Sequence, residues 1–208
     1  MEKSLHGAII AVSHAVIEAE PILTELDSAL GDGDCGMGLK TGFADVIKAL
    51  EGGESDTPQE LLKKVAKTLI ASIGGTSGAI FGTAFMRMAA MAGEGDLNDP
   101  KRVCDILTAG LEGAKTRGED TKVGDKTMID AYEPAVNVFN AVIQRGGSFA
   151  EGCTAAVDAA QKGSDSTIDL IARKGRASYL GERSIGHRDA GSYGIVVICK
   201  ALQRYLAA

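Results

Sequence analysis

The stretch Leu39-Lys40-Thr41-Gly42-Phe43-Ala44-Asp45-Val46-Ile47-Lys48-Ala49-Leu50 decides the fold class. Its apolar residues Leu39, Phe43, Val46, Ile47 and Leu50 stand at i, i+4, i+7, i+8 and i+11, which is one face of a helix. The same period recurs outward from it. Leu61, Leu62, Val65, Leu69 and Ile70 follow Thr57-Pro58-Gln59-Glu60, a capping box with proline at the first helical position. Asp99-Pro100 opens a helix carrying Val103, Ile106, Leu107 and Leu111. Ser148-Phe149-Ala150-Glu151 is a second capping box and predicts a long alanine-rich helix reaching about Arg173. Four more helical segments run over about 4–20, 78–92, 127–144 and 190–206, and Pro134 is expected to kink the third of these. No stretch alternates with period two between hairpin turns. The expectation is an all-α fold of about eight helices, one domain over residues 1–208, with no linker and no repeat.

Composition narrows the function classes. The chain has 208 residues, 45% hydrophobic and 24% charged, which is globular rather than disordered. With no Trp and 4% aromatics the core must be aliphatic. A formal net charge of −6 argues against a nucleic-acid partner, whose phosphates need Lys and Arg. Cys35, Cys104, Cys153 and Cys199 form no C-x-x-C pair and read as buried free thiols of a reducing compartment. The N-terminal MEKSLHGAII lacks the apolar stretch of a leader, and no window approaches 18 apolar residues without charge. A cytoplasmic protein with no membrane partner is expected.

Glycine is in excess, 27 residues without a collagen period, and 14 of them fall within 31–42, 74–82 and 175–194. Between helices, glycine supplies positive φ and lets backbone N–H groups approach a ligand. Gly110, Gly113 and Gly152, on helix faces, read instead as packing contacts or as plain costs of roughly 1 kcal/mol each.

The first segment, Leu26-Asp27-Ser28-Ala29-Leu30-Gly31-Asp32-Gly33-Asp34-Cys35-Gly36, places three carboxylates within eight residues. Asp27, Asp32 and Asp34, with no histidine beside them, suit a hard ion, Mg²⁺ or Ca²⁺, rather than zinc. An Asx-turn or helix-cap cluster would account for Asp32 or Asp34 alone. The G-x-G-x-x-G match lacks a preceding strand, and the EF-hand register has Phe43 where Glu is needed. In the second segment, Ser72-Ile73-Gly74-Gly75-Thr76-Ser77-Gly78 feeds a helix start. It reads either as a phosphate site or as an ordinary helix capped by Thr76 or Ser77. The third, Arg173 to Gly191, is long for an interhelical loop and rich in cations, which fits an anion site. His187 within it is either a general base or a plain loop histidine.

Asp27 to Gly36, Gly74 to Gly78, Gly124-Asp125-Lys126-Thr127-Met128 and Gly175 to Gly191 together resemble the L-subunit family of dihydroxyacetone kinases, in order, spacing and length over essentially the whole chain. The resemblance implies a single-domain antiparallel eight-helix barrel with a nucleotide site at one end. It implies that Asp27, Asp32 and Asp34 hold two Mg²⁺ ions against the phosphates of ADP or ATP. It further implies nucleotide contacts from Cys35, Gly36, Met37 and Gly38, from Thr76 and Ser77 on the phosphate loop, and from Gly118 and Met128 around the adenine. Arg176 would lie on the phosphate side, and Asp189, Ala190 and Gly191 on the closing loop. In such kinases the ketose is held by a separate K subunit, so no catalytic residue is assigned to this chain. Subunits fed by a phosphotransferase-system M subunit, which recharges bound ADP, often read D-A-D-H-G here. Asp32-Gly33-Asp34-Cys35-Gly36 looks more like the ATP-using form, and both donors stay open. Also open are a related ketose such as erythrulose, a nucleotide- or lipid-binding regulatory module without transfer, a plain metal-binding structural domain, and homo-oligomerisation.

Overall fold

The computed structural model describes residues 4–52, 56–95 and 97–208; Met1–Lys3 of the N-terminal segment lie outside them. The described residues form α1 (Leu5–Glu18), α2 (Glu20–Ser28), α3 (Cys35–Ala49), α4 (Pro58–Ser72), α5 (Gly75–Ala92), α6 (Pro100–Arg117), α7 (Ile129–Gln144), α8 (Phe149–Ser166) and α9 (Ala190–Ala207), with 3-10 turns at Thr167–Asp169 and Arg176–Ser184. No strand occurs among them.

Eight of the helices close into a ring. Each packs on the next in the order α1, α3, α4, α5, α6, α7, α8, α9, and α9 packs back on α1. The short α2 leaves α1 at a 53° bend and lies against α3 and α9. The apolar faces point inward: Val46 and Leu50 of α3, Val65 and Leu69 of α4, and Val196 of α9 are wholly buried. Phe43 and Phe81 meet edge to face at 6.3 Å across α3 and α5. At roughly 1.5–3 kcal/mol for each fully buried Val, Leu or Phe, this ring interior is the main stabilising term.

Local signals set the helix ends. Both capping boxes form: the Thr57 side chain accepts from Glu60 N and the Ser148 side chain from Glu151 N, with the glutamates returning the bond. Gly110, Gly113 and Gly152 prove to be packing contacts, since a Cβ there would meet Met88 at 2.3 Å, Arg87 at 2.8 Å and Phe139 at 2.9 Å. Pro134 lies inside α7, whose helical run continues to Gln144.

Two expectations need correction. The first helix ends near residue 20 as expected, but a second, unexpected helix follows at once: Ala19 ends α1 and also caps α2, with Pro21 in the first turn of that second helix. The long helix expected to reach Arg173 ends at Ser166, where the backbone tightens into a 3-10 turn and then extends at Leu170. No single described helix is long and apolar enough to cross a membrane. The bent α1–α2 pair passes that test only by length and composition, and α1 turns Ile9, Val12 and Val16 into the core.

A ring of antiparallel helices sends alternate connections to the same end. The α2–α3, α4–α5, α6–α7 and α8–α9 connections are residues 29–34, 73–74, 118–128 and 167–189. Topology therefore gathers the glycine-rich segments at one end.

Candidate nucleotide and metal site

The gathered connections enclose a cleft of about 740 Å³. Asp27 enters it from the last turn of α2, and Asp32 and Asp34 from the loop that follows. Gly33, at φ +74°, makes the turn that lets the two loop carboxylates converge. One carboxylate oxygen from each of Asp27, Asp32 and Asp34 lies within 4.8 Å of the others. Asp34 caps α3 only through its backbone, with no side-chain bond to the helix, so capping does not account for its carboxylate. Asp27 accepts from Cys35 N at 3.2 Å, which ties α2 to the start of α3. Three oxygen donors without a nitrogen or sulfur ligand fit Mg²⁺.

Cys35 lies beside this cluster but offers no thiolate. Burial, reinforced by Asp27, Asp189 and Asp34, pushes its thiol up to about 12. Gly36 is buried where α3 meets α2, and a Cβ there would sit 2.3 Å from Thr24 Oγ1 and 2.5 Å from Glu20 O. It packs two helices together and does not line the cleft, unlike the fourteen other residues singled out.

The N-terminus of α5 lines the same cleft as the carboxylates. Its cap is Gly74, which has no side chain to offer; Thr76 and Ser77 are not the cap but belong to the first turn. The orphan N–H groups of that turn and the positive end of the helix dipole border the cleft. Gly74 and Gly75 have no atom within 4 Å of an added Cβ, so the backbone here is open to a ligand. An anion is what such a helix start attracts.

The third wall is the α8–α9 connection. Arg176 pairs with Asp32 and with Asp34 at 3.3 Å, laying its guanidinium over the acidic cluster. These side chains are well exposed, so the pairs place the arginine rather than stabilise the fold. Asp189 caps α9, accepting from Ser192 N at 2.5 Å. Desolvation pushes its carboxyl up to about 7, against the pull of the Ser192 N–H and with Asp130 adding repulsion. His187 is exposed, and its backbone carbonyl accepts from Lys126.

Aliphatic residues also line the cleft: Ile73, Ile80, Ala114, Met128 and Ile129 accompany Gly118, and no aromatic ring is among the described lining residues. Sequence reasoning assigned no role to Lys126. It is 2% exposed, and its ammonium donates to Thr167 O and His187 O, both at 2.5 Å. Desolvation lowers its pKa from the ordinary lysine value. The signal that marked it was the Gly124-Asp125-Lys126-Thr127 run with Asp130 three residues beyond. Periodicity does not read such a run.

With this geometry in place, comparison with known proteins is informative. The DAK2 domain family model matches residues 29–204. The ADP-binding subunit DhaL of a PEP-dependent dihydroxyacetone kinase from Listeria innocua is 40% identical, covering 92% of this chain and 89% of its own. An L-erythrulose kinase from Pectobacterium atrosepticum is 33% identical over 96% of this chain, which corresponds to 34% of that enzyme. The structure of the dihydroxyacetone kinase from C. freundii in complex with AMP-PNP and Mg²⁺ superposes with a TM-score of 0.75 at 25% identity, over 98% of this chain and 35% of that one. The chain thus spans the length of a separate subunit but only about a third of the longer kinases. It belongs to the DAK2 domain family, among the L-type subunits of the dihydroxyacetone kinases.

Proposed function

We propose that this chain, acting as one domain over residues 1–208, is the cytoplasmic nucleotide-binding subunit of a kinase for dihydroxyacetone or a similar small ketose. One observation carries the reading: the acidic cluster of Asp27, Asp32 and Asp34 and the N-terminus of α5 line a single cleft. Phosphoryl transfer asks a protein chiefly for positioning and charge neutralisation, and these are what the cleft offers.

Asp27, Asp32 and Asp34 would hold Mg²⁺, and their three negative charges suit two such ions in company with phosphates. When bound, Mg²⁺ neutralises phosphate charge and polarises the transferring group. The α5 N-terminus, with the Thr76 and Ser77 hydroxyls, orients the phosphates. Arg176 contributes a cation beside the carboxylates. Gly118, Met128 and the aliphatic lining would hold the adenine, with Cys35, Met37 and Gly38 as further nucleotide contacts and Asp189, Ala190 and Gly191 on the closing loop. Gly36 acts through the packing of α3 on α2.

A separate K subunit would hold the ketose, as the family resemblance implies, and this chain would supply the nucleotide. The phosphoryl donor is either free ATP or a phosphotransferase-system M subunit that recharges bound ADP. The name of the Listeria relative supports the second route; Cys35 in place of histidine supports the first. The Pectobacterium relative favours L-erythrulose as a second acceptor.

Reconstitution with a K subunit tests the reading. Product should form from dihydroxyacetone with ATP or with a phosphoenolpyruvate-driven donor, and Asp34→Ala should reduce it at least a hundredfold. Absence of transfer with either donor and either ketose would refute the reading.

A further inference from the structure

Lys126 is a costly residue to keep. It is a buried cation, and it stands at φ +61°, left-handed backbone that side chains other than glycine, asparagine and aspartate seldom adopt. Such strain persists only where the surroundings over-determine it. Here they do. The Asp130 carboxylate, in the first turn of α7, accepts from Gly124 N and from Thr127 N, both at 2.7 Å. It clamps the backbone on either side of Lys126.

The ammonium reaches the two ends of one loop. Thr167 begins the 167–189 connection and His187 nearly ends it, yet both carbonyls accept from the same Nζ. Two further bonds close this neck: Gly186 N donates to Ile168 O at 2.8 Å, and Asp189 N donates to Thr167 Oγ1 at 3.0 Å. At the neck, Lys126 fastens the loop to the α6–α7 connection and Arg188 pairs with Asp165 of α8; farther along, Arg173 N donates to Asp125 O at 3.1 Å and Lys174 Nζ to Glu119 O at 2.9 Å. The body of the loop then carries Arg176 to Asp32 and Asp34, while its end supplies Asp189 and the start of α9.

We infer that Lys126 is a positioning residue: its ammonium staples the neck of the 167–189 loop to the α6–α7 connection, and so sets Arg176 and Asp189 at the edge of the cleft. The part of this inference that concerns ligand affinity rests on the nucleotide reading above. The part that concerns the loop does not.

The test compares Lys126→Met, which keeps the length of the side chain and removes its donors, with Ile143→Ala. The control truncates a buried residue in the last turn of α7, at the opposite end of the ring. Hydrogen exchange on the nucleotide-free proteins should show faster exchange in 168–188 for Lys126→Met and not for the control. Titration calorimetry with ADP and Mg²⁺ should show Lys126→Met binding more than fivefold more weakly than the control. Lys126→Gln, which keeps an amide N–H₂ donor group on a shorter, neutral side chain, should fall between wild type and Lys126→Met in both measurements, and carries the same comparison should the methionine variant not fold. Exchange in 168–188 no faster than in the control, or affinity within fivefold of it, would overturn the inference. If the wild type itself does not bind ADP with Mg²⁺, the nucleotide reading fails and the exchange comparison alone decides the role of Lys126.

Discussion

At the scale of single residues, the cleft is built on three carboxylates within 4.8 Å of one another and on a buried lysine that ties two loops together. Asp27, Asp32 and Asp34 were legible because three carboxylates in a short glycine-rich stretch are rarely needed for turns alone, and the fold does bring them together. Lys126 was not, because its importance lies in partners 41 and 61 residues away. The resemblance marks Gly36 as a nucleotide contact; its place in the structure is the packing of α3 on α2, off the cleft lining. Gly36→Ala should drive α3 from α2 and shift Asp27 relative to Asp32. We expect a loss of about 1–3 kcal/mol in urea unfolding, with weaker Mg²⁺-dependent ADP binding. Unchanged stability would contradict the close approach.

Asp189 supplies a pH test with a definite sign. Its folded pKa of about 7 stands above the ordinary value of 3.8, so the folded state binds more protons between the two. Its contribution to stability is present at low pH and is lost as the pH rises from about 4 to 7. Asp189→Asn retains an oxygen to cap α9 and removes the titration. In thermal unfolding with a chelator, the variant should gain stability over wild type from pH 5 to pH 8, by an amount on the order of a few kcal/mol. A difference independent of pH would show that Asp189 is not held protonated by its surroundings.

At the scale of elements, helices with a long apolar face and a capping box were read almost to the residue. α4 and α8 begin where Thr57 and Ser148 announce them, because those side chains bind the backbone locally whatever the tertiary context. Ser148→Ala should therefore cost about 1 kcal/mol in chemical denaturation, with no effect on ligand binding at the other end of the ring. α2 escaped notice because only Leu23 is buried along it, which leaves no period to detect. The end of α8 was misplaced because Ile168, Leu170 and Ile171 continue a plausible apolar pattern beyond Ser166. What stops the helix is Thr167, whose hydroxyl turns back to Ser164 O and accepts from Asp189 N, a partner supplied by distant sequence.

At the scale of the whole molecule, ring closure explains why sites scattered along the chain converge. Every second connection reaches the same end, so the four site segments meet without contacting one another in sequence. The antiparallel order was implied by the family resemblance, while composition and periodicity alone gave only a helix count. One consequence is a division of labour between the ends. Addition of ADP with Mg²⁺ should protect amides in 29–38, 74–78, 118–128 and 170–191 from hydrogen exchange, and leave 93–95 and 145–148 unaltered. Protection at both ends alike would argue for a global tightening rather than a site.

In the proposed function, three aspartates at one end of this ring hold a nucleotide through Mg²⁺. The decisive measurement is calorimetric titration of ADP, with and without Mg²⁺, into wild type and Asp32→Ala. Binding to the wild type should require Mg²⁺ and weaken at least tenfold in Asp32→Ala, with the fold intact by circular dichroism. Binding indifferent to Mg²⁺, or equal in the two proteins, would refute the role of the aspartates.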